Sequence, residues 1–215
     1  SFDRMPFVAR PATRADLPGL AAALAAAFVD DPVKQFLTGR LHLPVERSAP
    51  FFDAFTRIHW AHGLADVGQV AGEAAGAAEG VAGQIAGAAV WARPDHWKVP
   101  TLQVVRWAPR FVRMYGRRFL PNLHVLRAVE EQHPREPHYY LEFLGIRPEH
   151  QGFGLGRALI EPMTARADRE GVGMYLENSK EKNLAFYGRH GFQPRAVFDL
   201  PGGGPPVWLM WREQR

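Results

Sequence analysis

Three glycines stand at alternate positions where an apolar segment runs into a helical one. The stretch Leu141 to Gly156 reads LEFLGIRPEHQGFGLG and contains Gly152, Gly154 and Gly156. Because these residues lack a Cβ, the main chain can approach a ligand closely, and the next helix adds free N–H groups and the positive end of its dipole. The stretch predicts an anion site. The alternative is that the glycines serve only close packing of a strand against a helix.

Two common phosphate loops do not fit this stretch. The G-x-G-x-x-G spacing of dinucleotide folds is not met, because Gly152-x-Gly154 is followed by Leu155-Gly156-Arg157. A Walker A loop is also excluded, since no Gly-Lys-Ser/Thr occurs there.

A tyrosine and an asparagine share one face of a later predicted helix. Asn183 and Tyr187 are four residues apart, so both project toward the same region. A phenol can act as a general acid, and an amide can anchor a ligand or the start of the helix. The alternative for Tyr187 is a buried phenol bonded to a backbone carbonyl.

Two glutamates on predicted strands are candidates for a general base. Glu142 precedes the glycine loop, and Glu177 ends the next strand in the run Tyr-Leu-Glu-Asn-Ser. A carboxylate there could collect a proton from an attacking group. Alternatively, Glu142 pairs with an arginine of the segment 95–136, and Glu177 caps the next helix or holds a backbone amide. His138 is interpreted as a surface histidine.

The elements that must position these residues follow from periodicity and from turn residues. A strand is predicted at Phe7–Arg10, then a helix capped by Thr13 and stopped by Asp31-Pro32. Later helices are predicted at Val45–His62, about Gly154–Glu170 and Lys182–His190. Later strands are predicted at Asp66–Glu73, Gln84–Arg93 (joined by a turn at Ala77–Gly80), His138–Arg147, Gly173–Asn178, Phe192–Leu200 and Pro206–Arg212. The alternation implies a mixed sheet with helices on its faces.

Residues 95–136 have a different character and are predicted to form a helical insertion. Aromatic residues there alternate with a stripe of arginines at helical spacing, Arg106, Arg110, Arg113 and Arg117. Pro109 predicts that the insertion is not one unbroken helix. The stripe fits either a nucleic-acid surface or the solvated face of a helix packed on a core.

Composition limits the class of protein. The 215 residues, 47% of them hydrophobic, can close one sizeable core. The absence of cysteine excludes disulfides, thiolate metal sites and a cysteine nucleophile. No apolar run is long enough to span a bilayer and no leader pattern is present, so we expect a soluble, cytoplasmic protein. The net charge of +4 is compatible with a polyanionic ligand.

The residues from about 138 to 193 resemble the GNAT superfamily of acyl-CoA-dependent N-acyltransferases. The match rests on Gln151-x-x-Gly154-x-Gly156 after a strand, on Asn183-Leu-Ala-Phe-Tyr187, and on the closing Gly191-Phe192. Within the superfamily, the Glu-Pro-x-Tyr-Tyr-Leu run before the loop, the Leu-Glu-x-Ser run after it and the insertion are similar to the puromycin N-acetyltransferase group. The implied fold is a single mixed α/β domain over residues 1–215. Its mostly antiparallel sheet holds one splayed parallel pair, with the insertion before the fourth main strand.

The resemblance assigns two binding segments for acetyl-CoA. The loop would offer amides to the pyrophosphate from Gln151, Gly152, Phe153, Gly154, Leu155, Gly156 and Arg157. Many relatives carry Lys or Arg where this chain has Phe153, and Arg157 could compensate. The pantetheine arm would add to the strand at Phe143, Leu144, Gly145 and Ile146, with Gly145 marking a bulge that splays the strand.

The resemblance also implies a reaction. Tyr187 would protonate the departing thiolate, Asn183 would anchor the cofactor, and Glu142 or Glu177 would act as the base. We expect direct transfer of acetyl from acetyl-CoA to a small-molecule amine, by a monomer or homodimer that needs neither membrane nor metal. The alternatives are a non-catalytic acyl-CoA sensor and a protein or peptide N-acetyltransferase.

Overall fold

A single seven-stranded sheet forms the centre of the molecule. The computed structural model describes residues 7–60, 63–70 and 84–215. The strands are β1 (Phe7–Pro11), β2 (Gly63–Val70), β3 (Ile85–Ala92), β4 (His138–Ile146), β5 (Gly173–Asn178), β6 (Gln193–Asp199) and β7 (Pro206–Arg212). Their order is β1-β2-β3-β4-β5-β7-β6, and among these described strands only β4 and β5 pair in parallel. The predicted mixed, mostly antiparallel sheet is confirmed.

Helices cover both faces of this sheet. They are α1 (Leu17–Ala27), α2 (Pro32–Thr38), α3 (Val45–His59), α4 (Thr101–Tyr115), α5 (Phe119–Glu130), α6 (Leu155–Glu170) and α7 (Leu184–Arg189). Alternate residues of β3 enter two separate cores: Val90 packs with α1 and α3, whereas Trp91 packs with α6. Strand β3 is therefore buried along its whole length.

The N-terminal half contains a helix that the sequence analysis missed. After Thr13 a 3-10 turn, Arg14–Asp16, leads into α1, which ends at Ala27. Asp31 then caps the short helix α2 by accepting from the Lys34 N–H at 2.8 Å, and Pro32 is the first helical residue. The Asp-Pro pair was interpreted only as a stop, although proline also suits the first turn of a helix.

The other boundaries differ only at their ends. Helix α3 stops at His59 rather than His62, and the helix predicted from Lys182 begins as a 3-10 turn, Glu181–Asn183, before α7. The turn expected at Ala77–Gly80 lies outside the described residues, as does the end of the strand predicted to reach Glu73.

The insertion before β4 consists of α4 and α5, so the prediction that it is not one unbroken helix is confirmed, but the break lies at Gly116–Arg118 and not at Pro109. Helix α4 continues through Pro109. A proline removes the hydrogen bond to the carbonyl four residues earlier, and Val105, which carries that carbonyl, is exposed, so water can replace the lost bond. Phe111 packs against Phe51 of α3, with ring centroids 5.8 Å apart. Three residues of the arginine stripe lie on α4, where Arg110 lies over the Trp107 ring, and Arg117 lies in the 3-10 turn that follows.

The parallel strands separate halfway along their length. Strand β4 pairs with β5 only up to Leu141, which lies opposite Leu176. On its other edge β4 stays paired with β3 as far as Ile146, but the register shifts between Leu141 and Phe143. The extra residue of this bulge is Glu142, so the prediction of a bulge at Gly145 is wrong. A Cβ on Gly145 would lie 2.8 Å from the Ala27 Cβ, which makes Gly145 a packing glycine against α1.

Candidate active site

The separation of β4 from β5 opens into a cleft of about 1160 Å³. It runs from the end of α1, past the free edge of β4, to the first turn of α6 and to α7. Of the predicted site residues, the cleft is lined by Glu142, Leu144, Gly145, Ile146, Gln151, Gly152, Gly154, Leu155, Gly156, Arg157, Glu177, Asn183 and Tyr187. Phe143 and Phe153 do not line it.

One end of the cleft is a loop of free backbone amides. Gly152 and Gly154 have φ angles of +86° and +89°, which glycine adopts without strain, and a Cβ on either would meet open space. Among the described residues, the N–H groups of Gly152, Phe153 and Gly154 have no protein acceptor. Those of Leu155 and Gly156 belong to the first turn of α6, where no acceptor exists within a helix. This end can bind an anion.

The side chains around the loop add less charge than expected. Arg157 is bonded to Glu161 one turn along α6, with Nε 2.6 Å from Oε1, so much of its charge is already balanced. Gln151 turns inward and donates to the Ile146 carbonyl at 3.0 Å, which fixes the loop to the end of β4. Phe153 is 45% exposed and lies beside Phe7. An anion held at this end would therefore be bound mainly by main-chain N–H groups.

The middle of the cleft is a strand edge without a partner strand. Residues 142–146 of β4 pair with β3 on one side, and nothing in β5 pairs with them on the other. An extended ligand can bind such an edge as an added strand. The side chain of Phe143 points away into the aromatic core and lies 5.1 Å from the Phe52 ring centroid.

Tyr187 and Asn183 stand on α7 across from this edge. Tyr187 is 9% exposed, and its hydroxyl has no hydrogen-bond partner among the described residues. Burial, and secondarily the charge of Asp31, raises the pKa of Tyr187, so the phenol keeps its proton. The expected alternative, a phenol bonded to a carbonyl, is not what the structure contains. Asn183 lies at the N-cap of α7, and its side chain makes no capping bond.

The two candidate bases have different surroundings. The Glu142 side chain is 3% exposed, and its Oε1 lies 3.0 Å from Nε2 of His59 on α3. The other oxygen, Oε2, is buried without a partner, and Nε2 of His59 is also unsatisfied because the contact is poorly aligned. Burial raises the pKa of Glu142, while His59 opposes this rise. Glu142 does not pair with an arginine of the insertion.

Glu177 is held by two phenols. Its Oε2 accepts from the Tyr140 hydroxyl at 3.1 Å and its Oε1 from the Tyr175 hydroxyl at 3.2 Å. His133 adds a contact of 3.8 Å between Nδ1 and Oε1. Burial raises the pKa of Tyr140 well above its ordinary value, and the carboxylate charge of Glu177 adds to the effect. Neither the capping role nor the backbone contact predicted for Glu177 is present.

His138 is buried, so its interpretation as a surface histidine is wrong. It is 2% exposed, and its Nε2 lies 2.9 Å from Nε2 of His133, whose ring stacks on Trp97. Because Nδ1 of His138 lies 2.6 Å from the Glu136 carbonyl, Nδ1 is the donor nitrogen, and Nε2 accepts from His133. Burial lowers the pKa of His138.

A polar bridge closes the cleft between α1 and β5. Asp31 accepts a short hydrogen bond from the hydroxyl of Ser179, and Lys180 pairs with Asp30 at 2.5 Å. Neither this bridge nor the contact of His59 with Glu142 is evident from the sequence. Each joins residues far apart in the chain, and no local motif marks them.

Within 7–60, 63–70 and 84–215, no group of three or more His, Asp or Glu side chains has the arrangement of a metal site. None of the helices in these ranges is long and apolar enough to cross a membrane.

Comparison with known proteins gives a consistent result. The model of the acetyltransferase (GNAT) family matches residues 26–192. An uncharacterized N-acetyltransferase of Schizosaccharomyces pombe is 28% identical over 211 residues, covering 90% of this chain and 78% of the relative. A Corynebacterium glutamicum crystal structure described as histone acetyltransferase HPA2 and related acetyltransferase is 26% identical, with a TM-score of 0.71 and 98% of both chains covered.

A third structure supports the fold alone. Arylalkylamine N-acetyltransferase 2 of Aedes aegypti is 10% identical, with a TM-score of 0.66, and the alignment covers 97% of this chain and 99% of that one. The family model spans the open strand edge, the amide loop and α7, and the solved structures share the whole architecture. The chain is an N-acetyltransferase and belongs to the acetyltransferase (GNAT) family.

Proposed function

We propose that this protein transfers the acetyl group of acetyl-CoA directly to the primary amine of a small molecule. One observation carries the proposal: the unpaired edge of β4 leads, inside one cleft, into a loop of unpaired N–H groups. That combination suits an extended amide-containing arm that ends in phosphates. The chain has no cysteine, so direct transfer replaces a cysteine acyl-enzyme.

In this proposal each end of the cofactor has its own partners. The pantetheine arm pairs with the β4 backbone at residues 143–146, where Phe143 and Gly145 contribute main-chain groups only. The pyrophosphate lies on the amides from Gly152 to Gly156, and Asn183 binds the arm from the opposite wall. Phosphate affinity then comes from N–H groups and the α6 dipole, since Phe153 adds no charge.

The proposed binding mode places the thioester between Glu142 and Tyr187, and the chemistry follows from that position. The amine nitrogen attacks the thioester carbonyl, the new C–N bond forms, and the C–S bond breaks. Glu142 takes the amine proton at Oε2, the oxygen that has no other partner. Tyr187 donates to the sulfur as charge develops there, which its unpaired and protonated hydroxyl suits. Glu177 is the weaker candidate, because both of its oxygens already accept from tyrosines.

Aromatic side chains near the transfer point favour a small acceptor. Phe28 lines the cleft, and Tyr140 and the stacked pair of Trp97 and His133 lie behind Glu177. In the proposal the insertion at 95–136 walls the acceptor pocket, as the likeness to the puromycin N-acetyltransferase group implies. A protein or peptide acceptor would need an open groove here, and an acyl-CoA sensor would lack a working base.

The first test is calorimetric titration of the protein with acetyl-CoA. Gly156→Asp places a carboxylate at the amide cradle and should abolish saturable binding. Gly188→Asp is the matched control, because it adds the same charge on α7, where a Cβ meets nothing within 4 Å, outside the cleft lining. Absence of acetyl-CoA binding by the native protein would contradict the proposal.

The second test identifies the acceptor. A panel of phenethylamine, tryptamine, agmatine, spermidine and a lysine-containing peptide is incubated with acetyl-CoA, and released CoA is measured with a thiol reagent. The protein has no cysteine to contribute background. Turnover of a small amine supports the proposal. Turnover of the peptide alone would favour the protein-acceptor alternative, and binding without turnover would favour the sensor.

A further inference from the structure

A pair of buried polar atoms in the core has no hydrogen-bond partner within the part of the chain that the structure describes. They are Nε2 of His59 and Oε2 of Glu142, and both side chains are at least nine-tenths buried. Nε2 lies 3.0 Å from the other carboxylate oxygen, Oε1, at hydrogen-bond distance but off the bond axis. Unsatisfied buried groups are rare, and one reason for keeping them is function.

The β-bulge is what brings this pair together. In a regular strand Glu142 and Phe143 would point to opposite faces of the sheet. Both instead point to α3: Phe143 packs on Phe52 and Phe55, and Glu142 meets His59 in the last turn of that helix. The extra residue in the register makes this geometry possible.

A second cavity lies on the other side of the histidine. It has a volume of about 250 Å³ and is lined by residues that include Thr56, His59, Trp60, Leu64 and Ala65. The ring of His59 stacks on Phe55 at 5.8 Å, which holds its plane. Glu142 lines the main cleft and His59 lines the second cavity, so each cavity borders one member of the pair.

We propose that His59 is a positioning residue for Glu142: its imidazole lies against Oε1 and favours the carboxylate form. This rests on the proposed function, in which Glu142 accepts the amine proton at Oε2. From its present position, a small turn of the ring would align Nε2–H with Oε1.

Other charged groups around Glu142 act in both directions. From β5, Glu177 disfavours its ionisation, and His133, between α5 and β4, favours it. From α3, His59 favours ionisation more strongly than His133 does, against the larger effect of burial. Removing His59 therefore raises the pKa of Glu142 further, so that a higher pH is needed before the base is deprotonated.

The experiment compares His59→Ala, His59→Gln and the control Thr56→Val. Thr56 lines the same cavity, but its hydroxyl bonds to the Phe52 carbonyl of its own helix. Kinetics are measured against pH with acetyl-CoA and the best amine of the panel above. Independently of turnover, the protonated carboxyl band of Glu142 is titrated by infrared difference spectroscopy in the free protein and assigned with Glu142→Gln.

We expect His59→Ala to lower kcat/KM at neutral pH by about 10- to 100-fold, with much of the loss recovered as pH rises. The carboxyl titration should move to higher pH in parallel. Added imidazole, which fits the enlarged second cavity, should restore both signals. His59→Gln, which keeps a donor, should lie between His59→Ala and the native protein, and Thr56→Val should match the native protein. The Kd of acetyl-CoA should stay within about twofold throughout.

Two results would overturn the proposal. One is that both His59 variants keep the carboxyl titration and the pH profile of the native protein. The other is an equal loss of rate at every pH that imidazole does not restore, which would show a purely structural role. If His59→Ala does not fold, His59→Gln decides the question. If no amine is acetylated, the proposed function fails while the infrared titration still tests the contact.

Discussion

The two glutamates at the open end of the β4–β5 pair show how surroundings separate identical side chains. Glu142 has one free oxygen and a histidine beside the other, whereas Glu177 accepts from two tyrosine hydroxyls. A buried oxygen without a hydrogen-bond partner is more available to a reacting group than one that already accepts from a tyrosine. The sequence offers Glu142 as the first candidate base and Glu177 as the second, but it does not show which carboxylate has a free oxygen.

Replacing each glutamate by glutamine tests whether Glu142 is the base and Glu177 is mainly structural. Glu142→Gln should lower kcat by about 10²- to 10⁴-fold, since an amide cannot accept the amine proton. Glu177→Gln should lower kcat less but should reduce the urea midpoint, because a neutral amide accepts two phenol hydrogen bonds less well. Equal losses of kcat in both variants would remove the distinction between them.

The proposed role of Tyr187 can also be tested by changing a single side chain. Tyr187→Phe removes only a hydroxyl that bonds to none of the described residues, so the fold should tolerate it. We expect kcat to fall by about 10- to 100-fold with the Kd of acetyl-CoA unchanged, which single-turnover kinetics and calorimetry can measure. Unaltered kcat would show that another donor stabilises the thiolate.

At the scale of elements, the contact between α1 and β4 keeps the cleft edge in place. Gly145 sits where the strand crosses the helix, and an added Cβ would lie 2.8 Å from the Ala27 Cβ and 3.0 Å from Leu24 Cδ2. Neither helix nor strand can shift without moving the edge that the cofactor is proposed to use. A glycine that the sequence suggested as a bulge is instead required by packing.

Replacing this glycine tests the contact. Gly145→Ala should lower the free energy of unfolding by about 1–3 kcal/mol through overpacking and should weaken acetyl-CoA binding. Gly188→Ala is the control, because its Cβ meets nothing within 4 Å and alanine suits the helical position. Urea unfolding and calorimetry on both variants decide the point. A Gly145→Ala protein with native stability and affinity would contradict it.

At the scale of the whole molecule, buried carboxyls make stability depend on pH in opposite ways. Arg10 donates both guanidinium ends to Asp16 and holds the pKa of Asp16 well below its usual range. The ion pair contributes to folding stability above the pKa of an unfolded aspartate, about 3.9, and this contribution is lost as pH falls below that value. Asp66 in β2 behaves differently, since burial raises its pKa to about 6.

The direction in which Asp66 makes stability change with pH follows from proton binding. Between pH 4 and 6 the folded state keeps the proton and the unfolded state loses it, so stability falls as pH rises through this window. Asp66→Asn should therefore raise the free energy of unfolding at pH 7 by about 1–2 kcal/mol, allowing for its partial exposure, and change little at pH 4. Urea unfolding at both pH values measures this. An equal change in the free energy of unfolding at both pH values would exclude the titration of Asp66 as the cause of that change.

The amino-acid sequence by itself determined the local features of this protein. The strand, glycine loop and helix around residues 141–156 and the spacing of Asn183 and Tyr187 are contiguous patterns, so periodicity and backbone freedom are enough to find them. Strand β5 and the two last strands were predicted closely for the same reason. The likeness of these motifs to a known family then predicted the fold.

Only the tertiary structure decided which groups meet. The bulge at Glu142 depends on how β4 pairs with β3, His59 reaches Glu142 from another helix, and Tyr140 and Tyr175 hold Glu177 across two strands. His138 is buried because the insertion folds over it. Burial and hydrogen bonding depend on distances between segments remote in the chain, and these fix whether a carboxylate is free to react.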